Sequence, residues 1–211
     1  MKIIPFIYND IDDLYANTYL LVDNNNDAVV IDPSQNNNHL ADYIIRNSLN
    51  LKAVLLTHGH FDHLRGLDIL VNIFNVPFYM SYLETDLLTD PFKNCSLYLS
   101  NKGIVVKSNP QTLCGSETLN ILDEPIVVVS TPYHTEGSIS FYLKESKALF
   151  TGDALFEGSI GRDDLPTSVP KERKATLERL MSFPSETKVY PGHGRFTSIQ
   201  KEKVRNAFIN R

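Results

Sequence analysis

Short apolar runs separated by turn residues dominate the first third of the chain. Residues 17–22 and 28–31 are apolar runs on either side of an asparagine-rich turn, a spacing that predicts two strands of a hairpin-like pair. Residues 40–49 carry apolar side chains at helical spacing, and the continuous apolar run at 52–57 predicts a buried strand. The same criteria predict a first strand at 1–8, a helix at 67–74 and a strand at 76–80.

The second half repeats this alternation of strands and helices. Strands are predicted at 103–106, 118–122, 125–130, 138–143, 148–151 and 188–190. A helix is predicted at 169–181, with Ser168 as its cap and Pro170 in its first turn, and a closing helix at 199–208. Because strands dominate each half and no linker interrupts them, we expect one domain over residues 1–211. The pattern predicts two sheets packed face to face with helices outside.

Composition narrows the class of protein. The chain is 42% hydrophobic and 21% charged, as in an ordinary soluble globule, and its formal net charge is -5. This balance argues against nucleic acid as a partner, which would need a concentrated positive field. No apolar window is long enough to cross a bilayer, and the N-terminus does not have the build of a signal peptide. With two isolated cysteines as well, the sequence predicts a cytoplasmic protein whose partner is neither nucleic acid nor a membrane; it leaves the oligomeric state open.

Candidate chemistry is concentrated in one short segment. Three imidazoles and a carboxylate lie within six residues, at His58, His60, Asp62 and His63. Histidine and carboxylate are the usual protein ligands of zinc and similar ions. So dense a cluster has no good structural use without a metal, and the segment follows the strand predicted at 52–57. The sequence therefore predicts a metal site at the end of that strand.

Four further polar residues each follow a predicted strand, namely Asp32, His134, Asp153 and His193. Taken singly, each has an ordinary explanation as a hydrogen-bonded histidine or a turn-forming aspartate. Taken together they favour a metal centre, because residues at strand ends sit on rigid supports and face a cleft. Glycines at 152, 192 and 194 would let the backbone approach a compact inorganic centre.

These motifs resemble the metallo-β-lactamase superfamily, and within it the short, single-domain glyoxalase II-like branch (hydroxyacylglutathione hydrolase-like). The H-x-H-x-D-H motif of the superfamily matches the segment from His58 to His63, and its later ligands match His134, Asp153 and His193 in the same order. The run from Gly152 to Pro166 is similar to the short branch. The resemblance implies an α/β (α+β) fold, an αββα sandwich of two mixed sheets flanked by helices.

The resemblance also implies the roles of the ligands. One metal would be held by His58, His60 and His134, the second by Asp62, His63 and His193, and Asp153 would bridge the two. Asp32 would orient ligands from behind without touching metal. We expect two divalent ions, with zinc favoured and iron or manganese chemically acceptable.

The implied function is a metal-dependent hydrolase that cleaves a small thioester such as an acyl-glutathione. A hydroxide shared by the two metals would attack the carbonyl, and Asp62 or Asp153 would manage the proton. The alternative is a mononuclear-iron persulfide dioxygenase on the same fold, whose relatives tend to have cysteine where Ser138 or Ser159 stands here. A third hypothesis is a binding protein with a degenerate metal site, but all seven candidate ligands are present, which argues against it.

Two positions depart from the family pattern. Tyr133 stands where glycine is common, directly before a ligand, and it either narrows the substrate pocket or packs in its wall. Arg195 stands where the short branch often has proline, and it either meets a substrate carboxylate or is simply solvated. Both are therefore candidate pocket residues.

Overall fold

The computed structural model describes residues 1–8 and 14–209, and within these ranges the strands form two six-stranded sheets. The first sheet has the order β1 (Lys2–Phe6), β2 (Thr18–Val22), β3 (Asp27–Ile31), β4 (Asn50–Leu55), β5 (Phe78–Ser81) and β6 (Gln111–Leu113). The second has the order β12 (Thr197–Ser198), β11 (Lys188–Pro191), β10 (Ala148–Gly152), β9 (Ile139–Leu143), β8 (Ile126–Ser130) and β7 (Thr118–Leu119). Both are mixed: β3 to β6 pair parallel in the first, and β10 pairs parallel with β11 in the second.

The alternation of side chains along the strands sets the layers. In β3, Val29 and Ile31 enter the cluster between the two sheets, whereas Ala28 and Val30 enter a second cluster on the outer face. The inner cluster also takes Phe141 and Phe150 from the second sheet, so the sheets pack face to face. Burying each apolar side chain of this size stabilises the fold by about 1.5–3 kcal/mol.

Helices cover both outer faces. The helices are α1 (His39–Arg46), α2 (Phe61–Leu64), α3 (Leu67–Phe74), α4 (Ser96–Ser100), α5 (Arg173–Met181) and α6 (Ile199–Arg205). Ile44 of α1 and Leu70 of α3 pack on the outer face of the first sheet. Leu180 of α5 and Ile199 of α6 pack on the outer face of the second. The predicted αββα sandwich is confirmed.

Several element predictions need correction. The predicted strand at 103–106 is absent, because loop contacts hold this segment: the Val106 amide donates to the carbonyl of Leu88 at 2.8 Å. The strand that completes the sheet, β6, lies further along at Gln111–Leu113. A 3₁₀ segment at Tyr82–Leu88 and the short helix α4 were not predicted.

Other errors concern the ends of elements. The strand predicted at 118–122 is only two residues long, and the closing helix ends at Arg205. Ser168 does not cap the helix predicted at 169–181, because its hydroxyl donates to the carbonyl of His134 at 2.7 Å. That helix begins instead with a 3₁₀ turn at Pro170–Glu172 and continues as α5.

Candidate metal centre

The strands deliver the predicted ligands to one edge of the sandwich. The segment of His58 and His60 follows β4, and α2 begins at Phe61, so Asp62 and His63 lie on its single helical turn. The remaining three come from the second sheet, after β8, β10 and β11, and are His134, Asp153 and His193. The structure brings all seven side chains together.

Three imidazoles form the first group, which comprises His58, His60 and His134. His60 Nδ1 lies 3.1 Å from His58 Nε2 and 2.9 Å from His134 Nε2. The opposite ring nitrogens of two of them are held: His134 Nδ1 donates to the carbonyl of Arg162 at 2.7 Å, and His58 Nδ1 lies 3.1 Å from the Thr57 hydroxyl. Such contacts fix the ring orientation and leave the converging nitrogens to bind a metal.

The second group consists of Asp62, His63 and His193, and the Asp153 carboxylate lies between the two groups. His193 Nε2 is 3.0 Å from Asp62 Oδ2. Asp153 Oδ1 lies 3.3 Å from His63 Nε2, while its Oδ2 lies 3.5 Å from His134 Nε2 and 3.6 Å from His193 Nε2. One carboxylate thus faces ligands of both groups, which is the placement expected of a bridging ligand.

Asp32 supports this cluster from behind. Its Oδ1 accepts the Thr57 amide at 2.8 Å, and its Oδ2 accepts the Thr57 hydroxyl at 2.7 Å and His63 Nδ1 at 2.9 Å. Asp32 has a φ of 52°, a left-handed conformation that turns the chain at the end of β3. The carboxylate therefore orients His63 and leaves its Nε2 facing Asp153.

Electrostatics separate the two groups. Burial, reinforced by the neighbouring imidazoles, lowers the pKa of His58 well below its usual value and that of His60 to about 3. Burial also disfavours a charged His63, but Asp32, Asp62 and Asp153 together raise its pKa well above the usual value. His58 and His60 are therefore neutral without metal, whereas His63 carries a proton.

The carboxylates respond in the opposite direction. Burial raises their pKa values, but His63 and His193 outweigh it and hold the pKa of Asp62 at about 2 and that of Asp153 well below its usual range. Both aspartates are therefore ionised at neutral pH and can bind a cation.

The residues fit a metal centre on two further observations. In the described part of the chain, the buried His63 Nε2 and Asp153 Oδ1 point into the cluster and have no hydrogen-bond partner beyond their 3.3 Å ion pair with each other. A Cβ at Gly192 would overlap Asp153 Oδ1, and one at Gly161 would lie 3.1 Å from His134 Nδ1. The backbone thus closes on the ligands so tightly that side chains are excluded. Neutral imidazole with carboxylate suits zinc, iron or manganese.

The two candidate pocket residues have different surroundings. Tyr133 is 0% exposed and belongs to the outer core of the second sheet; its hydroxyl donates to the Ala154 carbonyl at 2.6 Å and accepts the Gly161 amide at 3.2 Å. This favours packing in the wall, not a role at the pocket surface. Arg195 is exposed and lies two residues beyond His193, the ligand with the largest exposed side-chain fraction, 31%. The cluster therefore opens to solvent on the side of His193.

Sequence reasoning missed one buried carboxylate beside the cluster. Glu84 accepts the amides of Gly59 and Gly137, both at 2.8 Å. Glu84 stands beside Thr85 and Asp86 in a 3₁₀ segment of mixed polar and apolar residues, so the sequence gives no signal that this carboxylate is buried or which groups it contacts. The carbonyl of Arg162 was also missed, since a backbone acceptor leaves no trace in the residue type.

Fold and site together define a class: an αββα protein with imidazoles and carboxylates gathered at one edge, as in metal-dependent hydrolases. A profile described as the Metallo-beta-lactamase superfamily matches residues 11–193. The chain belongs to this superfamily, as the resemblance predicted, and is one of its metallo-hydrolases.

Relatives match over nearly the whole chain. The probable metallo-hydrolase YqgX of Bacillus subtilis is 32% identical over 93% of this chain and 93% of its own length. Hydroxyacylglutathione hydrolase GloC of Haemophilus influenzae is 32% identical, covering 92% of each chain.

Solved structures extend the comparison. BLEG-1, a B3 metallo-beta-lactamase, superposes with a TM-score of 0.93 at 32% identity and covers 100% of both chains. TTHA1623 in a di-iron-bound form superposes with a TM-score of 0.83 at 33% identity, covering 97% of this chain and 99% of its own.

Within the described residues no helix has the length and apolar content needed to span a bilayer.

Proposed function

We propose that the protein hydrolyses a small thioester, with an acyl-glutathione as the first substrate to test. The observation that carries the thioester assignment is the 32% identity to hydroxyacylglutathione hydrolase GloC along 92% of both chains. The geometry supports hydrolysis by a dinuclear centre, because His58, His60 and His134 form one candidate group and Asp62, His63 and His193 another, and the Asp153 carboxylate faces ligands of both.

The proposed chemistry divides between the metals and the protein. Two divalent ions would lower the pKa of a shared water towards ~7 and polarise the substrate carbonyl. Asp62 and Asp153, ionised at neutral pH, would orient that water and receive its proton at a carboxylate oxygen. His58 and His60 supply uncharged nitrogens, so no proton has to leave them before the ions are held.

A thioester suits this arrangement because its leaving group needs little help. A thiol with a pKa near ~8.5 departs readily as the thiolate, so no strong general acid is required. Nor does the chemistry need a cysteine nucleophile: burial raises the pKa of Cys95, the cysteine packed beside Phe61, to about 11. Attack by water is therefore the favoured route.

The test combines metal analysis with substrate assays. The protein is loaded separately with zinc, iron and manganese, and each form is assayed with S-lactoylglutathione by the thiol released. We expect about two metal equivalents per chain and turnover that is lost on chelation. One iron per chain, with oxygen uptake on glutathione persulfide and no thioester cleavage, would instead identify a dioxygenase.

A second candidate is the hydrolysis of a β-lactam ring, and the BLEG-1 superposition favours it. The same water and carbonyl chemistry would act on an amide, but a nitrogen leaving group needs protonation more than a thiolate does. The chromogenic cephalosporin nitrocefin separates the two functions. A kcat/KM for nitrocefin above that for S-lactoylglutathione would favour the lactamase and contradict our proposal.

A further inference from the structure

Glu84 is a buried carboxylate that belongs to none of the ligand groups. It lies within the 3₁₀ segment Tyr82–Leu88, after β5, and is 0% exposed. Burying a carboxylate is costly unless hydrogen bonds compensate for the lost water. Glu84 has two: the amides of Gly59 and Gly137 donate to Oε2 and Oε1, each at 2.8 Å.

The donors belong to the two loops that supply the three-imidazole group. Gly59 is the residue between His58 and His60. Gly137 lies three residues after His134, in the turn that leads into β9. One carboxylate therefore connects the loop that follows β4 of the first sheet to the loop that follows β8 of the second. Among the described residues no strand pairing joins β4 and β8, which lie in different sheets, and the two segments share one direct backbone bond, from the Ile139 amide to the Thr57 carbonyl at 2.9 Å.

The approach of the two loops to Glu84 leaves no space for side chains on them. A Cβ at Gly59 would lie 3.3 Å from Glu84 Oε2 and 2.7 Å from Leu87 Cβ. A Cβ at Gly137 would lie 2.7 Å from both Cγ and Oε1 of Glu84. A leucine could fill the same volume without the cost of a buried charge, but it could not fix two backbone amides at hydrogen-bond distance.

From this geometry we propose that Glu84 is a positioning residue for the metal subsite formed by His58, His60 and His134. It holds the two ligand loops at the separation that lets their imidazole nitrogens converge. The inference concerns metal binding, and it does not rest on the thioesterase activity proposed above.

The test is Glu84→Gln, which keeps the shape of the side chain but replaces one acceptor oxygen by an amide group. Zinc affinity is measured for both equivalents by competition with a chromophoric chelator, and the cobalt form is recorded by visible absorption. We expect one equivalent to bind about 10–100-fold more weakly, with an altered cobalt spectrum, and the other to be unchanged. Wild-type affinity at both equivalents with an unaltered spectrum would overturn the proposal, whatever the melting temperature.

A matched control separates positioning from general destabilisation. Glu124 is another buried carboxylate, and it accepts the amide of Ser146 at 2.9 Å and the Ser146 hydroxyl. Ser146 lies in the hairpin that leads into β10, at the end of that strand away from Asp153. Glu124→Gln should lower the melting temperature and leave both zinc affinities unchanged. If it weakened the same equivalent as Glu84→Gln, the effect would be nonspecific and the proposal wrong.

A double-mutant cycle assigns the subsite. His134→Ala removes a ligand of the three-imidazole group, so adding Glu84→Gln should then weaken the remaining equivalent no further. A further loss at the remaining equivalent would contradict the assignment. Should Glu84→Gln fail to fold, Glu84→Asp keeps the charge and shortens the side chain by one methylene; a few-fold weaker equivalent supports positioning, and unchanged affinity contradicts it.

Discussion

The two sheets contribute to the metal centre in different ways. The first sheet supplies four candidate ligands from one six-residue segment, of which Asp62 and His63 share the single turn of α2. The second supplies three, each from a different strand end. Local backbone geometry sets most of the spacing within the first set. The spacing of the second set depends on strand pairing, including the register shift of β10 and β11 between Phe150 and Gly152.

The supports differ accordingly. Asp32 acts directly on a ligand of the first set through its 2.9 Å hydrogen bond to His63 Nδ1. In the second set the His134 ring is held directly by the Arg162 carbonyl, whereas the other two loops are tied further away: Glu202 of α6 accepts the Gly158 amide at 2.9 Å and the Thr197 hydroxyl at 2.6 Å, beyond Asp153 and His193 respectively. The comparison teaches that the compact set is positioned by its neighbours, whereas the dispersed set relies on the assembled sandwich.

The largest effect is expected where the two sets meet, at Asp153. Asp153→Ala removes the carboxylate that faces His63, His134 and His193. The substitution should lower kcat/KM for S-lactoylglutathione by about 10²–10³-fold or more. Zinc analysis should show that both equivalents are weakened. His193→Ala, which touches only the second group, should weaken one. Loss of one equivalent in Asp153→Ala would mean that the two groups bind metal independently.

The dispersed set can be disturbed without removing any ligand. In Gly192→Ala the new Cβ would overlap Asp153 Oδ1 and lie 2.7 Å from His63 Cε1, so zinc affinity should fall about 100-fold. Gly194→Ala is the matched control, since its Cβ meets no atom within 4 Å and only its φ of +77° is unfavourable. The control should cost about 1–2 kcal/mol, or about 2–8 °C in melting temperature, and retain metal. Equal zinc affinities in the two variants would show that the backbone does not close on the ligands as described.

The same contrast explains what the sequence could predict. Hydrophobic alternation indicated the strands that carry the site, since strands such as β3 bury both faces and leave a clear apolar run. The segment from His58 to His63 predicts a metal site from its own residues, without help from the rest of the chain. No local pattern relates His134 and His193, so they were interpretable only jointly, as polar residues at strand ends, and through the superfamily resemblance.

What could not be predicted depends on contacts between distant segments. Glu84 has an unremarkable sequence context, and its two backbone partners are 25 and 53 residues away. The apolar residues at 103–106 looked like a strand, yet the segment is held as a loop by the hydroxyl of Ser96 and the carbonyl of Leu88. For Tyr133 the sequence left a pocket role and wall packing open, and the hydrogen bond from its hydroxyl to the Ala154 carbonyl favours the wall. Such errors are expected where tertiary contacts outweigh local propensity.

A smaller effect is expected behind the compact set. Asp32→Asn keeps the size of the side chain and suits the left-handed backbone at φ 52°, since asparagine tolerates this conformation. It replaces a charged acceptor of His63 Nδ1, so zinc should bind about 10-fold more weakly at one equivalent. In a double-mutant cycle with Glu84→Gln, losses at different equivalents should be additive. Strong coupling between them would show that the two supports act on one subsite.

The smallest effect concerns whether the compact set is formed before metal binds. Cys95 packs with Phe61 of α2 and with Leu165; burial raises its pKa to about 11, so its thiolate fraction at pH 8 is on the order of 10⁻³ and rises as the pH increases. Cys114 is exposed. After chelation, a disulfide reagent should therefore modify Cys114 quickly and Cys95 only in denaturant. Cys114→Ser should remove the fast phase of the reaction. If Cys95 were modified rapidly in the chelated protein but not in the metal-loaded protein, the packing behind the segment from His58 to His63 would open without metal. The compact set would then also depend on the assembled fold.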